Sequence, residues 1–187
     1  MLTQVKFVLL VALIVGCSSE RAANPHPVTD DEEVVPEKPP PTEAEQRRVA
    51  KARAEELTRA LVAGDYHVAA GLTYSKIIRL GGGTKAAMQK LRDTLGELKA
   101  TGATFRFEVS DPTDFARSGR DHYLIVPTKM ITERDNMKRV DDGYLLAISH
   151  DRSETWHFAA DAGLRNQEQR AKILPDLPKD LPLPILK

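Results

Sequence analysis

The chain has 187 residues and carries 27 basic and 27 acidic side chains, so its formal net charge is zero. Nucleic-acid binding needs a concentrated basic face, and the balanced charge leads us to expect no nucleic-acid partner. The only cysteine, Cys17, excludes an internal disulfide bond and a metal site with several thiolate ligands. The length is sufficient for one domain with a hydrophobic core plus a linker.

The first predicted element is an export signal at the N-terminus. Lys6 is followed by nine apolar residues, Phe7 to Val15. A membrane-spanning helix needs about 20 apolar residues, whereas the apolar region of a secretory signal needs only about 7–15. We therefore predict a signal peptide over residues 1–16.

The end of this apolar run, Ile14-Val15-Gly16-Cys17, resembles the lipobox of bacterial lipoproteins. The resemblance implies cleavage before Cys17, a diacylglyceryl group on its sulfur and usually an acyl chain such as palmitate on its new amino group. Two or three acyl chains anchor a protein stably, so the implied partner is a membrane. The alternative is an ordinary signal peptide with a chance cysteine.

The lipobox resemblance also implies a location in the cell envelope. Lipoproteins of Gram-negative bacteria that stay in the inner membrane tend to carry aspartate after the lipidated cysteine. This chain has Ser18 there. If the source is Gram-negative, we expect the periplasmic face of the outer membrane.

The segment from the lipidated cysteine to residue 41 is predicted to be a disordered linker. It is rich in proline, carries the acidic run Asp30 to Glu33, and contains no aromatic residue. Such a composition cannot bury enough apolar surface to offset the entropy lost on ordering. The folded part should therefore begin at residue 42.

Three helices are predicted next. Thr42 and Glu45 have the spacing of a capping box, which starts a helix that we expect to end near Ala63 before Gly64. Helical patterns follow over 67–80 and 85–100. The glycines at 81–83 separate these two helices.

The pattern changes from helical to alternating after Gly102, which indicates strands. Helices followed by antiparallel strands favour an α+β fold over a parallel sheet. We predict strands over 105–109, 122–126, 144–149 and 155–160, and a continuation of the second strand past Pro127 to 132 is left open. A polar loop over 111–121 and a charged connection over 133–142 separate the strands.

Two stretches resemble NTF2-like domains: AEELTRALVAGDYHVAAGLT, Ala54 to Thr73, and ETWHFAADAG, Glu154 to Gly163. The resemblance covers residues 42–163. It implies a cone in which a curved antiparallel sheet of about four strands wraps three N-terminal helices. Some proteins of this kind are isomerases, hydratases or cyclases with acid–base residues in the cone, and many others only bind or dimerise. No position here matches an isomerase motif, and fold alone does not give function.

Four aromatic residues are candidates for lining a cavity in the cone: Tyr66, Tyr74, Trp156 and Phe158. The alternative for Trp156 and Phe158 is a plain position in the hydrophobic core. No motif indicates a cofactor, so we expect none.

The pair His150 and His157 is a weak candidate for a metal site. If the last hairpin pairs His150 with Thr155, the two imidazoles lie diagonally on one face, about 7 Å apart at Cβ. The sequence places no third ligand, and two polar residues on an open sheet face are the alternative.

The C-terminal segment, residues 164–187, is predicted to be a short helix over 166–174 followed by an extended tail. The tail repeats leucines between prolines, and proline forbids a helix or a central strand there. Residues 144–149 are apolar on both faces, so the face away from the helices needs a cover. Our hypothesis is that the tail docks there. The rival is a homodimer through that sheet face.

Two functions remain open at this point. The first is a lipid-anchored envelope module that binds a partner protein, a small apolar ligand or itself, without catalysis. The alternative is an NTF2-like envelope enzyme of the isomerase or hydratase type. A deep cavity with converging titratable groups would favour the enzyme, and a filled cone would favour the module.

Overall fold

The computed structural model describes residues 40–150 and 155–184. The predicted signal peptide, Cys17 and all but the end of the linker lie outside these residues. The described residues form an α+β fold with an antiparallel sheet. The helices are α1 (Glu43–Ala63), α2 (Tyr66–Leu72), α3 (Ser75–Leu80), α4 (Thr84–Ala100), α5 (Asp161–Leu164) and α6 (Gln167–Ile173), and the strands are β1 (Thr104–Val109), β2 (Phe115–Ser118), β3 (Asp121–Arg134), β4 (Met137–His150) and β5 (His157–Ala160).

Helix α1 begins and ends as its sequence predicts. The backbone N–H of Thr42 donates to the Glu45 carboxylate over 2.8 Å, and the backbone N–H of Glu45 donates to the Thr42 hydroxyl over 3.3 Å. Gly64, at φ 81°, adopts the left-handed conformation that ends the helix. Ala50 and Ala54 are fully buried on the inner side of α1. Their small side chains let the helix approach the sheet closely.

The helix predicted over 67–80 is two helices, α2 and α3, so four helices rather than three precede β1 in the described part of the chain. The chain leaves helical geometry at Thr73 and Tyr74 because these residues pair with the last strand. Thr73 forms a bridge with Phe158, and the backbone N–H of Tyr74 donates to the Phe158 carbonyl over 2.9 Å. Tertiary hydrogen bonds therefore override a continuous helical pattern.

The sheet has the strand order β1-β3-β4-β5, and β2 also pairs with β3. β1 and β2 lie one after the other along the same edge of β3, opposite 128–133 and 121–124. The sheet therefore has five strands instead of about four. The prediction of a loop over 111–121 was wrong for Phe115–Ser118, because only two residues of this short strand are apolar.

The charged connection predicted over 133–142 is mostly strand. β3 and β4 form a hairpin that is closed at Asp135 and Asn136, with φ of 49° and 62°. Two consecutive positive φ angles are the geometry of a tight hairpin turn. Residues in this outer half carry charge because the hairpin extends beyond the core, not because the chain forms a loop.

Pro127 is tolerated inside β3 because of the gap between β1 and β2. The Pro127 carbonyl accepts a hydrogen bond from Ser110, so the side of Pro127 that lacks an N–H faces the irregular segment 110–114. Proline in a strand is confined to places where no ladder bond is lost.

The sheet buries both faces. On the helix face, side chains of β3, β4 and β5 pack against α1 and α2, and this cluster contains Ala50, Ala54, Leu57, Ala60, Ala69, Leu124, Val126, Leu145, Ala147, Trp156 and Phe158. On the tail face, the other side of the same strands packs against the segment after β5, and this cluster contains Tyr123, Ile125, Tyr144, Leu146, Ile148, Ala159, Leu164, Ile173, Leu174 and Leu181. The chain's own C-terminal segment thus covers most of the second face, and Tyr74, Ile77 and Leu80 pack at its margin.

Candidate functional site

The four candidate cavity residues do not converge. Trp156 and Phe158 belong to the helix-face core. Tyr74 packs on the opposite side of the sheet, against the tail-face core. Tyr66 is half-buried at the corner between α1 and α2, where the Arg92 guanidinium lies 5.9 Å from its ring.

The interior of the helix face is filled with side chains. Trp156 is 1% exposed and Phe158 is 2% exposed, and they pack with Leu124, Ala54 and their neighbours in one cluster. The buried polar residues of the described chain are Gln46, Thr58, His122 and Ser149, and none of them is a carboxylate. Acid–base chemistry in a cone needs titratable groups around an open cavity. This interior has the composition of a core.

A buried hydrogen bond between Gln46 and His122 joins the start of α1 to β3. The His122 Nδ1 lies 2.9 Å from the Gln46 Oε1, and the Gln46 Nε2 donates to the Pro41 carbonyl over 3.0 Å. An amide oxygen can only accept, so a hydrogen bond at this contact requires the proton of His122 to be on Nδ1. The Phe115 ring packs edge-on against the imidazole, 5.5 Å between centroids. This pair fixes the end of the linker to the sheet.

Sequence reasoning missed this pair. The signal was present for Gln46, which lies four residues before Ala50 and so on the buried stripe of α1. A glutamine on an apolar stripe predicts a buried hydrogen-bond partner. Its partner comes from a strand 76 residues away, which no local pattern reveals.

A cluster of titratable groups is centred on Asp121 at one end of the tail face. The Asp121 carboxylate accepts a hydrogen bond from the Tyr123 hydroxyl over 3.2 Å and from His150 Nδ1 over 2.6 Å. The Asp121 side chain is 23% exposed and the His150 side chain is 68% exposed. The cluster is therefore a solvent-accessible site at the corner of the sheet and not an enclosed cavity.

Both tyrosines of this corner are held in the protonated form. Burial raises the pKa of Tyr123 well above its usual range, and the Asp121 charge adds to the shift. Burial also raises the pKa of Tyr74, again with a contribution from Asp121. A tyrosine with a raised pKa donates hydrogen bonds and does not act as a base.

His150 and His157 interact with different groups. His150 bonds to Asp121 as described, whereas His157 is half-buried opposite Ile148. Burial lowers the pKa of His157, and the positive charge of Arg53 lowers it further. Within residues 40–150 and 155–184, no group of three or more histidine, cysteine, aspartate or glutamate side chains could hold a metal ion.

A surface groove lies between α6 and the extended tail. Its volume is about 360 Å³, and its walls combine apolar and basic side chains. The lining residues are Gln167, Arg170, Ala171, Leu174, Pro175, Leu177, Pro178, Lys179, Leu181 and Leu183. The basic side chains of this lining are Arg170 and Lys179.

None of the helices among the described residues is long and apolar enough to cross a membrane.

Comparison with known proteins gives no family. No family model matches the chain, and no curated protein matches it. The chain is similar to the solved structure of a variant of Rv3472, a protein of unknown function from Mycobacterium tuberculosis. The TM-score is 0.42 at 9% identity, over 72% of this chain and 92% of that chain. This likeness is too remote to carry an argument about family or function.

Proposed function

We propose that the chain is a lipid-anchored module of the cell envelope that binds a partner and performs no catalysis. The observation that carries the proposal is the filled interior of the helix face. Trp156, Phe158 and Leu124 occupy the space that a substrate would need in a cone of this kind.

The position of the titratable groups supports the same proposal. Asp121 and His150 meet at an exposed corner, and the neighbouring Tyr123 and Tyr74 are held protonated. An isomerase or hydratase needs an acid and a base that converge on a desolvated substrate. The Asp121 corner provides hydrogen-bonding groups without that enclosure.

The finer fold and the anchor are part of the proposal. We infer an NTF2-like domain over residues 42–163, on the strength of the element order and the two resembling stretches. We infer a mature chain that starts at an acylated Cys17, carried by the lipobox-like sequence. The C-terminal segment then belongs to the folded unit that the linker holds at the membrane.

Such a module would bind through its outer surfaces. The groove between α6 and the tail is apolar at Leu177 and Leu183 and basic at Arg170 and Lys179. These features fit an extended apolar segment of an envelope protein or a small apolar ligand with an anionic group.

The anchor is tested by membrane flotation and mass spectrometry. We expect the native chain to float with membrane vesicles and to show the mass of an acylated chain that begins at Cys17. The Cys17→Ser variant should remain in the soluble fraction. A native chain that stays soluble with an unmodified N-terminus would overturn the anchor.

The filled interior is tested by the fluorescence of Trp156, the only tryptophan in the chain. A packed core predicts blue-shifted emission that acrylamide hardly quenches and that small apolar probes such as N-phenyl-1-naphthylamine do not change. Strong quenching, or energy transfer from Trp156 to a bound probe that saturates, would indicate an open pocket and favour the enzyme.

A further inference from the structure

The outer half of β4 has a free edge in the described part of the chain. β5 pairs with β4 only over residues 145–148, and α5 follows directly after β5. Residues 137–142 of β4 therefore pair with β3 on one side and with no described strand on the other. Met137 and Val140, 51% and 49% exposed, are the large exposed hydrophobic residues of this segment.

Natural sheets usually protect such an edge with charges, often lysines. The sequence here is Lys138-Arg139-Val140-Asp141-Asp142, in which the sign of the charge reverses at Val140. Charges of one sign repel a second copy of the same edge. A reversal of sign about a central residue instead makes the edge complementary to itself.

We propose that this edge pairs with the same edge of a second copy of the chain, antiparallel, about a two-fold axis at Val140. In this register Lys138 lies opposite Asp142 of the second copy, and Arg139 lies opposite its Asp141. The two-fold axis repeats both pairs, so the interface has four cation–carboxylate pairs, and the two Val140 side chains meet at the axis. A symmetric dimer requires this kind of self-complementary patch.

The hydrogen-bonding pattern of the sheet agrees with this register. The Ile125 N–H and C=O both bond to the segment between β1 and β2, so odd-numbered residues of β3 face that edge. Even-numbered residues of β3 then bond to odd-numbered residues of β4, according to the register in which Thr128 pairs with Gly143. The free backbone groups of β4 are therefore those of even-numbered residues. They include Val140, so the two Val140 residues at the axis form a hydrogen-bonded pair.

The neighbouring strand extends the charge complementarity. Lys129 of β3 lies opposite Asp142 in the same chain, 4.0 Å between Nζ and carboxylate, and Glu133 lies opposite Lys138. In the dimer these residues form a row across four strands, Lys129 and Asp142 from one copy and then Lys138 and Glu133 from the other. The signs alternate throughout this row. Directly opposite charges on adjacent strands stabilise a sheet, whereas like charges destabilise it.

The pairing involves one short strand segment from each copy, so its area is at the low end for specific interfaces. We expect a weak dimer, with a dissociation constant on the order of micromolar. Since the pairs are exposed, the association should weaken as salt is added. The inference goes beyond the proposed function and holds whether or not the lipid anchor is present.

The test is a charge exchange followed by sedimentation velocity of the full chain in a mild detergent. One variant, Lys138→Asp with Arg139→Asp, has an acidic edge. The other, Asp141→Lys with Asp142→Lys, has a basic edge. We expect each variant alone to self-associate at least about a hundredfold more weakly than the native chain, because every cross-strand pair becomes repulsive. An equimolar mixture should recover a dimer, because the two edges complement each other.

The control is Arg106→Asp with Arg117→Asp. It makes the same change in charge on β1 and β2, at the opposite edge of the sheet, and should leave the dimer intact. Trp156 emission reports that each variant is folded, and a mixture that dimerises is itself proof of two folded edges. A native chain that is monomeric up to about 1 mM would overturn the proposal. So would charge variants that dimerise as the native chain does, or a mixture that associates no better than either variant alone.

Discussion

The two faces of the sheet are closed by different parts of the chain. The helix face is covered by α1 and α2, which precede the strands, and the contact uses small residues such as Ala50 and Ala54 around one tryptophan. The tail face is covered by the segment after β5, with Ile173, Leu174 and Leu181 buried. One sheet is therefore held between an early helical layer and a late layer of two short helices and an extended tail, with α3 at the margin of the late layer. The second layer contributes large aliphatic side chains, and outside its two short helices its described backbone makes isolated turn bonds, such as that from the Leu181 N–H to the Pro178 carbonyl.

This difference leads us to expect that the helix face dominates stability and that the tail face is the more easily opened. Regions with few ordered backbone bonds open locally at lower free energy than regions with many. The proposed binding groove lies on the tail side, between α6 and the tail. Binding and local opening would then involve the same layer.

The largest effect is expected at the centre of the helix face. Trp156→Ala should lower the free energy of unfolding by about 3–5 kcal/mol, because it removes a fully buried aromatic side chain and leaves a cavity. Chemical denaturation followed by circular dichroism measures this loss. A loss below about 1 kcal/mol would mean that the helix face is not the tighter core.

A smaller effect is expected on the tail face. Leu181→Ala should cost about 2 kcal/mol, near the lower end for a buried leucine, since the site lies close to the chain end and can relax. Leu183→Ala is the matched control, because Leu183 is only partly buried in the same tail and should cost less than about 1 kcal/mol. Equal losses for the two variants would argue against specific docking of Leu181.

The buried hydrogen bond between α1 and β3 should contribute less again. Gln46→Ala removes the acceptor of the His122 Nδ1 proton and should cost about 1–2 kcal/mol. Gln89→Ala on the exposed side of α4 is the control and should change stability by less than about 0.5 kcal/mol. If both glutamine variants unfold at the same denaturant concentration, the hydrogen bond between Gln46 and His122 makes no net contribution to the free energy of unfolding.

The smallest effect concerns the pH dependence of stability. Burial lowers the pKa of His157 in the folded state from its ordinary value of 6.5. Below that value the unfolded chain binds more protons at this residue than the folded chain does. His157 therefore does not reduce the free energy of unfolding above about pH 6.5, and reduces it as the pH falls below that value. In the His157→Gln variant, the denaturant concentration at the midpoint of unfolding should change less between about pH 7 and pH 5 than it does in the native chain. An unchanged slope would show that other groups cause the dependence.

The sequence predicted the parts of this fold that depend on local patterns. The capping box at Thr42, the alternation in β1 and the helical cap at Gly64 are confirmed by the structure. Each of these signals lies within a few residues and is determined by local hydrogen bonding or by the period of apolar side chains. The sequence also indicated two apolar faces in residues 144–149, and the structure buries both.

The parts that failed depend on contacts between distant residues. The break at Thr73 and Tyr74 exists because the backbone there bonds to Phe158, more than 80 positions later. The strand at Phe115–Ser118 is defined by its pairing with β3 and not by its own composition. For the site, the aromatic residues could be predicted from the sequence but their separation onto two faces could not, since only the fold assigns Tyr74 and Trp156 to opposite sides of the sheet.

The most direct test of the two-layer account is deletion of residues 175–187, with denaturation and sedimentation measured on the same sample. Docking by the chain's own tail predicts a loss of several kcal/mol, of the order expected for exposing two or three leucines, with no change in oligomeric state. An unchanged melting temperature would contradict the account. A stable truncated chain that gains a new dimer would instead show that a second subunit can close the tail face.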